Sequence, residues 1–149
     1  MNNNEVISIL NGLVQTCKRG EEVFRSAAEN IRNSEFRRLF NIFAQQRTQF
    51  ISELQGEIHR LGGDAGTAPA PPAKASQKTI PFSRPSGGSD VRDEASIIAT
   101  CQREEEAAVN DYQEALKADL PLDVQYVVKR QYMDIKDAYD RIRILQRAA

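Results

Sequence analysis

Apolar residues recur at alternating steps of three and four through two blocks of this 149-residue chain, and a 28-residue stretch that cannot carry such a pattern stands between them. That stretch, residues 62–89, reads Gly62-Gly63, then Ala68-Pro69-Ala70-Pro71-Pro72, Pro81, Pro85 and Gly87-Gly88. Its prolines lack a backbone N–H and its glycines lack a side chain to pack, so it predicts a linker that is extended in its Pro-rich part. Ile80 and Phe82 are its large apolar residues, able to dock on the body of the protein if the linker is not simply a flexible tether.

Each block divides once more. In the first, Leu10, Leu13, Cys17, Gly20, Phe24, Ala27 and Ile31 form a seam flanked by Val14, Glu21 and Ala28. A break at Asn33-Ser34, with Ser34 as candidate N-cap, starts a second helix. Its seam is Phe36, Phe40, Phe43, Arg47, Phe50, Leu54, Glu57 and Leu61, ended by the glycine signal at Gly62-Gly63. In the second block Asp90 is placed to cap a third helix with Ile98, Cys101, Glu105, Ala108, Tyr112 and Ala115 on its seam. Asp119-Leu120-Pro121 breaks it, and Val128, Gln131, Ile135, Ala138, Ile142 and Leu145 line a fourth.

The expected fold is therefore an all-α four-helix bundle with helices at about 4–32, 34–61, 90–118 and 121–147, each roughly 40 Å long. The length suits one domain, 1–149, with the 62–89 crossover inside it. The first and last connections are tight, which makes two antiparallel hairpins. The middle one is long enough to run the length of the bundle and set helix 3 antiparallel to helix 1, or to stay at one end.

Composition narrows the function classes. Twenty Lys+Arg against 21 Asp+Glu give a net charge of −1, so neither nucleic acid nor an anionic membrane is expected as partner. Residues 91–119 carry 8 acidic against 3 basic side chains and 120–149 carry 4 against 6, the opposition expected of neighbouring helices. One His, His59, on the outer side of helix 2, cannot make a His-rich metal site or a triad, and Cys17 and Cys101 are expected as small buried hydrophobes about 12 Å apart. No apolar run approaches a membrane span and the amino terminus lacks a basic signal-peptide stretch, so a soluble cytoplasmic protein is expected.

The polar seam residues carry the functional question. Folding the hairpins back on themselves brings Glu21, Arg47, Glu105 and Asp134 towards one level near the middle of the bundle, with Tyr112 two turns from Glu105. Either Glu21 or Glu22 could face inward, and Arg47 could bury its guanidinium or lay its stem along apolar surface with the head in water. A buried carboxylate needs a partner, and Arg47 suits one.

Several stretches together resemble the ferritin-like superfamily, most closely a bacterial family described only as a domain of unknown function. They are Gly20-Glu21-Glu22-Val23-Phe24-Arg25, Glu53-Leu54 through Arg60-Leu61-Gly62-Gly63, Cys101-Gln102-Arg103-Glu104-Glu105 with Tyr112, and Lys129-Arg130-Gln131-Tyr132 with Asp140-Arg141-Ile142-Arg143. The resemblance implies a bundle with a long crossover and, in active members, a carboxylate-bridged di-iron centre. Glu21 and Glu105 match that centre's two lone glutamates and Tyr112 its tyrosine. The Glu-x-x-His pairs are absent: helix 2 reads Arg47-x-x-Phe50, and helix 4 offers Gln131, Asp134, Ile135 and Ala138, with Tyr139-Asp140 where close relatives carry His-Asp.

The expectation is a non-catalytic bundle without cofactor, a structural or protein-interaction module and homo-oligomer, whose metal site has become a buried cluster of Glu21, Arg47, Glu105, Asp134 and Tyr112. Ile42, Val127 and Ile144 fall outside the seams and suggest a second interface. The alternative is a degenerate metalloprotein holding one iron, manganese or zinc ion through Glu21, Glu105 and Asp134.

Overall fold

The computed structural model describes residues 2–63 and 90–148, which form four helices: α1 (Asn3–Asn30), α2 (Ser34–Arg60), α3 (Asp90–Leu116) and α4 (Leu122–Ala148). Residues 64–89, including Ile80 and Phe82, lie outside the described residues. The helix ends follow from local chemistry. Asn2 and Glu5 form a reciprocal capping box at the start of α1. At the first hairpin the cap is Asn33 rather than the expected Ser34: the Asn33 side chain accepts from the Glu35 and Phe36 backbone N–H groups at 2.8 and 3.2 Å. Both residues are good caps, and the asparagine reaches the free donors one residue earlier. Arg37 satisfies the opposite end of the turn by donating to the Ile31 carbonyl at 3.0 Å.

Helix α2 ends as its glycines predict. Gly62 adopts φ +90, its N–H donates to the His59 carbonyl, and Gly63 donates to Ile58, both at 2.9 Å. This paired 5→2 and 6→1 closure needs a left-handed residue, which glycine accepts without steric cost. Asp90 is the first residue of α3, inside the helix rather than in front of it, and Pro121 directly precedes α4, its carbonyl accepting from Gln125 at 2.8 Å.

Helix α1 packs on α2 and α3; α4 packs on α3 and, more lightly, on α2. Cys17 meets Tyr112 while Asn33 meets Glu94, so α1 and α3 run antiparallel. Glu53 meets Arg130 while Arg60 meets Asp123, so α2 and α4 do too. Of the two arrangements a long crossover permits, the chain takes the up-down-down-up one. The acidity of α3 is met by α1: Arg19 pairs with Glu104 at 3.2 Å and Asp111 at 3.4 Å.

The seams form the core. All seven expected positions of α1 and all six of α3 are buried. On α2 the seam drifts at its C-terminal end, where Ile58 is buried and Glu57 is not, since an apolar residue one step on gains more from burial than a carboxylate. The core has two parts. One, towards Val6, Leu10, Leu54 and Val124, includes Cys17, Phe50, Ala108 and Ile135. The other includes Phe24, Phe40, Phe43, Cys101, Ala138 and Ile142. Phe24 anchors the second, stacked on Phe40 at 5.9 Å and edge-on to Phe43 at 5.4 Å between ring centroids. Both cysteines are free and buried, one in each part.

Candidate functional site

Between the two parts of the core lies a fully buried ion pair. Arg47 of α2 donates through Nη2 to Oε1 of Glu105 of α3, and neither side chain is exposed. These helices are diagonal to one another, with no close backbone approach between them among the described residues, so the long Arg47 side chain bridges the bundle's middle. Two features of the sequence make room for it. Gly20 on α1 has no Cβ where Arg47 Nη1 lies, and the Phe24 ring one turn along stands 5.4 Å from the guanidinium carbon, presenting its face to the cation. The middle carboxylate of Glu104-Glu105-Glu106 turns inward because it continues the Cys101, Ala108, Tyr112 seam. Burial raises the Glu105 carboxyl above its ordinary value, held back by Arg47's charge and hydrogen bond. For Arg47, burial acts downward as the largest single influence, but Glu105, Cys17 and Tyr112 together outweigh it, so the guanidinium stays charged.

A second polar chain runs beside the pair. The Tyr112 hydroxyl donates to Gln131 Oε1 at 2.6 Å and lies 3.2 Å from the Cys17 sulfur. Gln131 in turn donates through Nε2 to Glu53 Oε1 at 2.8 Å and to the Phe50 carbonyl at 3.3 Å, and Arg130 donates to Glu53 at 3.1 Å. A buried tyrosine thus connects through one amide to a carboxylate at the bundle's edge. Burial pushes both the Tyr112 hydroxyl and the Cys17 thiol up, so neither is an activated nucleophile. His59 is exposed on the far face of α2 and serves neither as base.

For Glu53, partial burial acts upward, but the hydrogen bonds from Gln131 and Arg130 hold its carboxyl below the ordinary value of 4.5. The folded protein then binds that proton less readily than the unfolded chain, so the stabilisation is full above the ordinary value and fades as pH falls through the lower folded one. Glu53→Gln is expected to lower the thermal midpoint at neutral pH, by a margin that shrinks as the pH is taken below the ordinary value of 4.5. A margin constant with pH contradicts this.

Of the five residues expected to converge, the structure brings together Arg47 and Glu105, with Tyr112 adjacent. Glu21 does not join them. Gly20 holds the inward position, and Glu21, one residue round the helix, is part-exposed and pairs with Arg25 at 3.0 Å; Glu22 is fully on the outside. Asp134 is also outside the cluster, because Gln131, Ile135 and Ala138 take the inward positions of α4 and leave it at the edge. Glu21, Glu105 and Asp134 therefore do not form a set of ligands. Gln131, Cys17 and Glu53 complete the network without having been expected in it; the signal for Gln131 was an amide on an otherwise apolar seam.

A carboxylate-bridged di-iron centre draws a Glu from each of two helices and a Glu-x-x-His from each of the other two. The middle of this bundle offers one carboxylate, already bonded to a guanidinium, with Phe50 three residues beyond Arg47, so its residues do not fit that centre. Among the described residues no three His, Cys, Asp or Glu side chains are grouped to hold a metal ion.

Comparison with known proteins agrees with this architecture. Residues 5–118 match the model of the family described as "Domain of unknown function (DUF2383)". A two-domain protein of Anabaena variabilis, containing DJ-1/ThiJ/PfpI-like and ferritin-like domains, superposes with a TM-score of 0.81 at 16% identity, over 99% of this chain and 40% of that one. The present chain thus spans less than half the length of that protein. A hypothetical protein of Pyrococcus furiosus superposes with a TM-score of 0.78 at 16% identity, over 95% of this chain and 88% of that one. At these identities the likeness establishes the fold, which is ferritin-like. No curated protein matches the chain.

Proposed function

The chain belongs to that family of domains of unknown function, and from this premise we propose that it is a non-catalytic ferritin-like bundle serving as a structural or protein-interaction module. The observation that carries the proposal is the Arg47–Glu105 pair. It includes Glu105, which the resemblance to ferritin-like proteins matches to a metal-centre glutamate, and it consumes the one fully buried carboxylate among the described residues. An arginine supplies internally the positive charge that a metal would otherwise bring.

The neighbouring groups support the same reading. A catalytic site needs a nucleophile or base with a matched pKa and access to substrate. Here the thiol and the phenol are buried and pushed upward, and the histidine is remote. For an interaction role the support is the exposure of Ile42 and Ile144, although Val127 is half-buried. No helix among the described residues is long and apolar enough to cross a membrane. A cytoplasmic setting is part of the proposal, and two free cysteines buried in separate parts of the core suit a reducing compartment.

Metal analysis tests the reading directly. Protein produced in iron-supplemented medium and purified without chelator is expected to carry substoichiometric iron, manganese and zinc. Stoichiometric metal that disappears in Glu105→Ala would overturn it.

A further inference from the structure

Helix α4 exposes four large apolar side chains: Leu122 at 73%, Tyr126 at 68%, Met133 at 61% and Ile144 at 62%. Scattered exposed hydrophobes are ordinary on a soluble protein. These are not scattered. At 100° per residue, their spacings of four, seven and eleven place all four within about 40° of one another. The same geometry puts them diametrically opposite Val124, Val128, Ile135 and Ile142, which face the core. The stripe runs nearly the whole helix, about 33 Å from Leu122 to Ile144.

We propose that this stripe docks a second copy of the chain, α4 against α4, antiparallel about a two-fold axis at Met133. The inference deepens the interaction role proposed above and rests on it. The stripe is self-complementary about that residue: Leu122 and Ile144 lie eleven positions to either side of Met133. Leu122 of each copy then meets Ile144 of the other, the two Met133 side chains meet at the axis, and Tyr126 comes level with Asp140 of the other copy, a hydrogen-bond acceptor for its hydroxyl.

Charge selects this pairing over others. Arg130 and Asp137 lie on the same flank of the stripe at nearly equal distances from Met133; within one copy they pair with Glu53 at 3.1 Å and Arg141 at 3.3 Å, and the two-fold adds Asp137 of the other copy beside each Arg130. Asp140, which the same geometry places in line with Leu122 on the stripe itself, stands one turn from the second copy's Lys129 on the other flank. A parallel pairing would instead set Arg130 beside the second copy's Lys129, like charge on like. An anionic membrane is a poorer occupant, because Asp137 and Asp140 interrupt the basic flanks. One helix against one helix makes a small interface, so the dimer is expected to dissociate on dilution.

Sedimentation velocity on the full chain, from low micromolar to several hundred micromolar, should show a monomer of 16.7 kDa passing to twice that mass. Met133→Lys, which sets two like charges on the axis, should remain monomeric throughout with unchanged helical circular dichroism; Asn41→Lys, at an exposed position of α2, should dimerise as the native chain does. Mild oxidation of Met133→Cys should give a disulfide-linked dimer and Leu122→Cys should not, since antiparallel copies hold the latter positions far apart. A native chain that stays monomeric overturns the inference while leaving the metal analysis, and the non-catalytic reading, untouched. A dimer indifferent to Met133→Lys, or cross-linked equally at both positions, overturns the face or the orientation.

Discussion

Arg47→Ala is expected to destabilise the protein by about 3–5 kcal/mol, the range for removing one partner of a buried ion pair and leaving the other charged inside. Three losses coincide: the hydrogen bond to Glu105, the cation over the Phe24 ring, and the volume of the longest fully buried side chain. The abandoned Glu105 carboxyl, already raised by burial, would take up a proton more readily still. The deficit should therefore narrow as pH is lowered and Glu105 is neutralised in the variant. Urea midpoints of native and variant protein at pH 7 and near pH 5 give both quantities. A loss below about 0.5 kcal/mol at neutral pH would mean that the guanidinium is in water.

The pair as a unit need not be worth what either half costs to remove. Arg47 Nε and Nη1 and Glu105 Oε2 have no hydrogen-bond partner among the described residues, so the two ions are only partly repaid for leaving water. Arg47→Met combined with Glu105→Leu should then lie far closer to the native stability than Arg47→Ala alone. The pair marks a position where charge was kept inside, not where most of the folding energy resides; that comes from the two apolar parts of the core on either side of it.

Why some of this was legible in the sequence and some not is a matter of angle. A seam of six or eight residues averages over local error, so Glu105 could be assigned to the interior and Arg47 to an inward-facing position, although the period left open whether its guanidinium was buried or in water. Glu21 and Asp134 sit one residue from their seams, and 100° of rotation about the helix is the difference between a buried ligand and a part-exposed ion pair. The deciding information was in the neighbours. Gly20 had to be small because Arg47 was large, a relation between helices that no single helix's period contains. The exposed α4 stripe hid for the opposite reason: Leu122, Tyr126 and Met133 follow the helical period too, but on the face away from the core, where periodicity alone does not announce a role. The crossover topology was left open by loop length, and it took the Cys17–Tyr112 and Asn33–Glu94 contacts to settle it.

The relation between Gly20 and Arg47 yields a change of sign. Alanine in place of glycine inside a helix ordinarily stabilises it by up to about 1 kcal/mol, through propensity and a less disordered unfolded chain. Gly12 and Gly56, exposed within α1 and α2 with open space around them, should follow that rule. Gly20→Ala is expected instead to cost about 1–3 kcal/mol, as overpacking of a filled interior does. A Cβ there would come closer to Arg47 Nη1 than the 3.0 Å that real Cβ atoms respect, with the guanidinium carbon at 3.3 Å. The guanidinium has little freedom to withdraw, because Glu105 holds it on one side and the Phe24 ring covers another. Thermal midpoints of the three glycine variants measure the contrast, and stabilisation by Gly20→Ala equal to that of Gly12→Ala would show that Arg47 is not fixed where the structure has it. The coupling can be isolated as well. In an Arg47→Ala background the atom that Gly20→Ala would strike is gone, so the second substitution should lose its cost and regain the ordinary benefit of alanine in a helix.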